Sequence, residues 1–142
     1  MSKHFASAYW EGNLAKGKGK YTLKTSGYEG SYNFTSRFED DKSSSSPEEL
    51  IGAALSSCFS MALANDLDQA GHKPERIETK AEVILEKSDP GFAITRILLK
   101  TRGKVQDIDK GKFLEIADGT KNNCPVSKAL KVSDIDLEAE LL

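Results

Sequence analysis

Hydrophobic and polar positions alternate along three stretches of the chain and run together in one. Between Ser31 and Phe38, Tyr32, Phe34 and Phe38 oppose Asn33, Thr35 and Arg37, which predicts a strand ended by Arg37. From Ile77 to Glu86, Thr79, Ala81, Val83 and Leu85 join Ile77 against Glu78, Lys80, Glu82 and Glu86, the pattern of a half-buried antiparallel strand. At the end of the chain Ile135, Leu137, Ala139 and Leu141 oppose Asp134, Asp136, Glu138 and Glu140, so the acidic row of this strand should face water. The exception is Leu50 to Ala64, where no residue is charged and apolar or small side chains cover every side, predicting a helix buried all round.

Local signals fill in the remaining elements. Ser46 suits an N-cap and forms a capping box with Glu49, Pro47 suits the first helical position, and Gly71 marks the far end of the long helix. Gly52, Ser56, Ser60 and Ala64 recur every fourth residue, a small-residue face that a second helix could approach. Glu39, Asp40 and the serines Ser43 to Ser46 lead into that helix. Phe5 to Trp10 and a run around Tyr21 to Lys24, separated by Glu11-Gly12-Asn13, predict a hairpin. Gly17-Lys18-Gly19-Lys20 within it is only superficially a phosphate loop, since the spacing is incomplete and no helix follows. Ser88-Asp89-Pro90-Gly91 turns the chain into a returning strand from Phe92 to Lys104. Asp109 can cap a short helix closed by Asp118-Gly119, and a second begins at Pro125. Strands and helices in this order, without a repeated strand-helix unit, predict a single α+β domain over residues 1–142.

Composition narrows the function. A formal net charge of -2 gives no reason to expect nucleic acid or an anionic membrane as partner. The uncharged run would span about 22 Å as a helix, short of the roughly 30 Å of a bilayer core. Two cysteines without a C-x-x-C and two histidines without ligand spacing predict neither a zinc site nor a disulfide scaffold. These features point to a soluble cytoplasmic protein with reduced thiols, no metal and no cofactor.

Chemistry therefore rests on the thiols. Cys58 lies within the apolar helix, where desolvation raises a thiol pKa unless a cation is near, and where a cysteine can equally serve as a small hydrophobe. Cys124 precedes Pro125 and so occupies the N-cap of the following helix, a place that lowers thiol pKa, or else is a weak cap with no redox role. Together they suggest a peroxidatic and resolving pair, because a sulfenic acid condenses with a second thiol.

Several motifs sharpen that reading: Arg37-Phe38-Glu39, Pro47-Glu48-Glu49-Leu50-Ile51-Gly52-Ala53-Ala54, Cys58-Phe59-Ser60-Met61-Ala62-Leu63 and Cys124-Pro125-Val126-Ser127. In order and spacing they resemble the OsmC family of osmotically inducible thiol peroxidases, through essentially the whole chain. The resemblance implies antiparallel sheets around a long central helix in an intertwined homodimer, with active sites at the subunit interface. It implies reduction of organic hydroperoxides to alcohols in defence against oxidative and osmotic stress. Cys58 would be the peroxidatic cysteine, Cys124 the resolving one, Arg37 the arginine that stabilises the thiolate, and Glu48 the carboxylate that orients Arg37. An external dithiol of lipoyl type would be the reductant. The related organic hydroperoxide resistance subfamily carries its arginine in the N-terminal hairpin region, where this chain has only Lys16, Lys18 and Lys20.

The chemistry of those assignments is sound. An ordinary thiol with a pKa of about 8.5 is only about 3% thiolate at pH 7, so a cation must offset apolar surroundings, and a guanidinium held by a carboxylate is suited to it. Glu48 and Cys58 are ten residues apart, about 15 Å along a helix and about 80° around it. A site using both therefore needs a second copy of the chain, through two central helices packed antiparallel. Leu55, Phe59 and Met61 are candidate walls for an apolar substrate pocket, or core. A redox sensor without turnover and a ligand-binding or structural dimer are the competing functions.

Overall fold

The computed structural model describes residues 1–39, 41–130 and 134–142, so Asp40 in the connection to the long helix lies outside the described residues. The chain divides into two compact units, Met1–Leu50 and Ile51–Leu142.

The first unit is built on an antiparallel meander of β1 (Ala6–Glu11), β2 (Lys18–Leu23) and β3 (Tyr28–Asn33). Its hairpin is the predicted one, with Tyr9 opposite Lys20 and Trp10 opposite Gly19. Lys18, Gly19 and Lys20 belong to β2, so the glycine-lysine stretch is strand rather than phosphate loop. Tyr32 ties the meander together: its hydroxyl donates to the Tyr9 carbonyl at 3.0 Å and its ring meets Trp10 at 5.5 Å between centroids.

The strand expected from Ser31 to Phe38 is cut short. After β3 the chain turns into a helix, α1 (Phe34–Phe38), because Asn33 caps it: Asn33 Oδ1 accepts from the Ser36 N–H at 2.7 Å while Ser36 Oγ accepts from the Asn33 N–H at 3.2 Å. This reciprocal cap outweighs the alternating pattern. Arg37 consequently stands in a helical turn and not at a strand end.

The long helix α2 (Pro47–Gln69) begins as expected, with Ser46 Oγ accepting from the Glu49 N–H at 3.1 Å, and its C-terminal turn is followed by Gly71 at φ 88°. Its burial is one-sided within this chain. Leu55, Phe59, Leu63 and Leu67 are fully buried, whereas Ala53, Ala54, Ser57 and Met61 face outward, Met61 at 76% exposure. The small-residue face also differs from expectation. An added Cβ on Gly52 would lie 3.3 Å from Val83, and Ser60 Oγ donates to Thr79 Oγ1 at 2.8 Å. That face therefore seats this chain's own strand, and does not await a second helix.

The second unit carries the β4–β5–β6 sheet, of β4 (Pro74–Ser88), β5 (Gly91–Val105) and β6 (Asp134–Leu141). β4 and β5 form the predicted antiparallel hairpin, with Ala81 opposite Leu99 and Val83 opposite Ile97. β6 runs parallel to β5, Leu137 opposite Leu99, which makes this sheet mixed. Its acidic row is exposed but not left to water alone: Asp136 meets Arg96 at 2.6 Å, Glu138 meets Lys100 at 3.7 Å and Glu140 meets Arg102 at 3.0 Å. The helix α3 (Lys110–Asn123) starts at Asp109, whose Oδ1 accepts from the Lys112 N–H, and continues past Asp118-Gly119 to Asn123. Phe113 seats it on the sheet at Gly103, where any Cβ would stand 2.6 Å from the ring. The short helix α4 (Pro125–Ala129) follows at once.

Candidate active site

The two cysteines meet inside the second unit. Cys58 is carried by α2, one turn from the buried Leu55 and the partly buried Ala62. Cys124 is both the C-cap of α3 and the N-cap of α4, where Pro125 occupies the first helical position. Its N–H donates to the Thr120 carbonyl at 3.0 Å, which fixes the backbone from which the thiol projects. Both thiols are free and their Sγ atoms are 2.8 Å apart, with Cys124 as donor. The pair is unequal in access: Cys124 is fully buried and Cys58 half-buried, so a solute reaches Cys58 first.

Electrostatics divides them further. Burial pushes the Cys58 thiol up, the contact with Cys124 adds to this, and the Val126 N–H opposes without reversing it. Burial also presses Cys124 upward, but its hydrogen bond with Cys58 and the N–H and hydroxyl groups of Ser127, with the Val126 N–H, bring it below the ordinary thiol value. Since the two sulfurs share a proton, the first deprotonation belongs to the pair, and the N–H groups at the start of α4 draw the charge toward Cys124. Among the described residues, none of the groups acting on Cys58 is a cation.

Arg37 and Glu48 meet inside the first unit. Arg37 Nε and Nη2 both donate to Glu48 Oε1, at 3.0 and 2.9 Å, and the guanidinium lies 5.2 Å from the centroid of the Phe38 ring. Glu48 is 7% exposed, and among the described residues its Oε2 has no hydrogen-bond partner, so Arg37 is the carboxylate's partner there. Beside them is an apolar pocket of 440 Å³, lined among others by Trp10, Leu14, Tyr32, Phe34, Arg37 and Phe38. A guanidinium with one edge engaged by a carboxylate is an oriented cation.

The expected site residues thus fall into two touching pairs, Cys58 with Cys124 and Arg37 with Glu48. Leu55 and Phe59 are fully buried core residues, and Met61 is exposed. Ser56 and Ser57 donate back to the Ala53 carbonyl, at 3.3 and 2.6 Å, and so spend their hydroxyls on the helix. Sequence reasoning passed over the aromatic side chains Trp10, Tyr32 and Phe34 around Arg37; the only signal for them was their density in an otherwise polar N-terminal stretch. Among the described residues no three His, Cys, Asp or Glu side chains cluster as metal ligands.

Comparison with known proteins bears on the family and the fold. Residues 39–140 match the family model described as OsmC-like protein. The chain is 45% identical over 135 residues to "Peroxiredoxin OsmC" of Escherichia coli, covering 94% of this chain and 93% of that protein. It is 27% identical over 104 residues to "Organic hydroperoxide resistance protein OhrB" of Bacillus subtilis, covering 72% and 74% of the two chains. An OsmC-like protein of unknown function from Vibrio cholerae superposes with a TM-score of 0.76 at 17% identity, over 98% of this chain and 99% of that one. The crystal structure of OhrB from Bacillus subtilis does so with a TM-score of 0.69 at 24% identity, over 97% and 98%.

Proposed function

Because the chain belongs to the OsmC family, we propose that it is a thiol-dependent peroxidase reducing organic hydroperoxides to alcohols, with Cys58 as the attacking sulfur and Cys124 as the resolving one. The observation that carries this reading is the contact of two free thiols of unequal access and acidity. The Cys58 thiolate attacks the terminal oxygen of R–O–O–H, the O–O bond breaks, and RO⁻ takes a proton and leaves as the alcohol. Cys58 is thereby oxidised by two electrons to the sulfenic acid. Cys124 then attacks the Cys58 sulfur, the S–S bond forms, the S–O bond breaks, and water leaves.

An external dithiol returns the two electrons. It attacks the more accessible Cys58 sulfur, and Cys124, held to the lower pKa, is the better leaving thiolate. A vicinal dithiol of lipoyl type suits this step because its second sulfur releases the mixed disulfide internally. Free thiols of this kind fit a reducing compartment such as the cytoplasm.

Burial raises the Cys58 pKa, which disfavours the thiolate, and a nearby cation would offset it. Arg37, held by Glu48, is our candidate for it. Since Glu48 and Cys58 are ten residues apart on the unbroken helix α2, about 15 Å along its axis, a homodimer supplies the arrangement: the Arg37–Glu48 pair of one copy serves the thiols of the other. The exposed face of α2 at Ala53, Ala54, Ser57 and Met61 offers small, apolar surface for that association. The pocket beside Arg37 offers the R group apolar contact that hydrogen peroxide cannot use, at about 25 cal/mol per Å² buried.

Steady-state turnover tests the reading. With a lipoyl dithiol as reductant, cumene hydroperoxide should be consumed with a higher kcat/KM than hydrogen peroxide, and Cys58→Ser should abolish consumption. Turnover that survives in Cys58→Ser would remove the reading.

A further inference from the structure

A hydrogen bond away from both reactive pairs crosses the interior of the second unit. Thr120, on α3, is 1% exposed, and its Oγ1 lies 2.6 Å from Oδ2 of Asp66 on α2 and 3.0 Å from the Ile116 carbonyl of its own helix. The hydroxyl has one proton for two acceptors, and the shorter contact to a carboxylate takes it. A helical threonine otherwise returns its hydroxyl to the carbonyl one turn back. Here it links two helices instead.

The position of that link gives it a consequence. Thr120 precedes Cys124 by one turn, and its carbonyl accepts the Cys124 N–H at 3.0 Å. Asp66 follows Cys58 on α2 by eight residues. The helix carrying each cysteine is therefore pinned to the other at a second point, beyond the sulfurs. Apolar contacts among Phe59, Leu63, Phe113 and Ala117 hold the helices together without direction and tolerate small slides. The Asp66–Thr120 bond is directional and sets how far along α2 the end of α3 comes to rest.

We propose that the Asp66–Thr120 hydrogen bond positions the resolving cysteine, holding Cys124 Sγ against Cys58 Sγ so that the disulfide closes without movement of either helix. In the step it serves, the Cys124 sulfur attacks the Cys58 sulfenic sulfur, S–S forms, S–O breaks, and hydroxide leaves with the Cys124 proton as water. The place of this step in a catalytic cycle rests on the peroxidase reading; the positioning itself does not need a peroxide. Asp66 and Thr120 are positioning residues and touch no substrate.

Two measurements on Thr120→Val, Asp66→Ala, the double variant and Thr120→Ser test it. The first is the effective concentration of the Cys58–Cys124 pair against a glutathione redox buffer, which uses no peroxide. It should fall by about tenfold or more in either single variant, fall no further in the double variant, and return with Thr120→Ser. The second is trapping of the Cys58 sulfenic acid with dimedone after an organic hydroperoxide. Trapping should rise in Thr120→Val and return to the wild-type level in Thr120→Ser. Wild-type effective concentration in both single variants, or summed losses in the double variant, overturns the proposal. Thiols inert to hydroperoxide together with the predicted fall in effective concentration would instead reject the peroxidase reading and keep the positioning.

Discussion

At the scale of single residues, the account turns on what sets the charge of each sulfur. Burial raises the Cys58 pKa, so without a cation its reactive thiolate appears only above the ordinary thiol range. In a Cys124→Ser background, where one sulfur titrates, the rate of Cys58 alkylation should level off at a lower pH with Arg37 present than in Arg37→Ala. An unmoved profile would show that Arg37 does not act on Cys58. Arg37→Ala should also lower kcat/KM for the hydroperoxide by about 10²-fold, the usual cost of removing one donor from developing negative charge. The same change leaves the Glu48 carboxylate buried without its partner, a loss of about 1–3 kcal/mol by chemical denaturation. Since the Arg37 side chain is 39% exposed, water replaces part of the bond and the lower end of that range is expected.

At the scale of elements, the reactive sulfurs are only as well placed as α3 is. Phe113 seats this helix in the notch at Gly103, so Gly103→Ala should destabilise the protein by about 1–3 kcal/mol through overpacking, and a thermal melt reads it. Much of this level was legible in the sequence. Asp109 and Pro125 announced the two helix starts, and Asp89-Pro90-Gly91 announced the β4–β5 hairpin, because caps and tight turns are decided by adjacent residues. What was hidden depends on distant partners. The alternation through Phe38 concealed the Asn33 cap, and the period of β6 shows which face is apolar but not that its neighbour runs parallel. The composition of α2 shows that it is apolar, whereas only the fold shows that Gly52 and Ser60 face β4 and Met61 faces out. The pairing of Arg37 with Glu48 was legible only through family resemblance, since each alone reads as a solvated residue or a helix-start acid.

At the scale of the whole molecule, the proposed mechanism calls for two copies of the chain at each complete site. Met61→Asp puts a charge on the outward face of α2. It should shift the protein toward monomer in analytical ultracentrifugation and lower turnover in parallel, although it touches neither thiol. A dimer intact in this variant would move the association to another surface. Full turnover by the monomer would remove the need for a second copy altogether.

The central claim is that Cys58 and Cys124 form one redox unit that an organic hydroperoxide oxidises. Its most direct test is the intact mass, free-thiol count and peptide map of the reduced protein after one equivalent of an organic hydroperoxide per subunit. The account predicts loss of both thiols, a mass lower by two hydrogens, and a peptide linking Cys58 to Cys124. Two free thiols at unchanged mass would contradict it, leaving the 2.8 Å contact as packing alone.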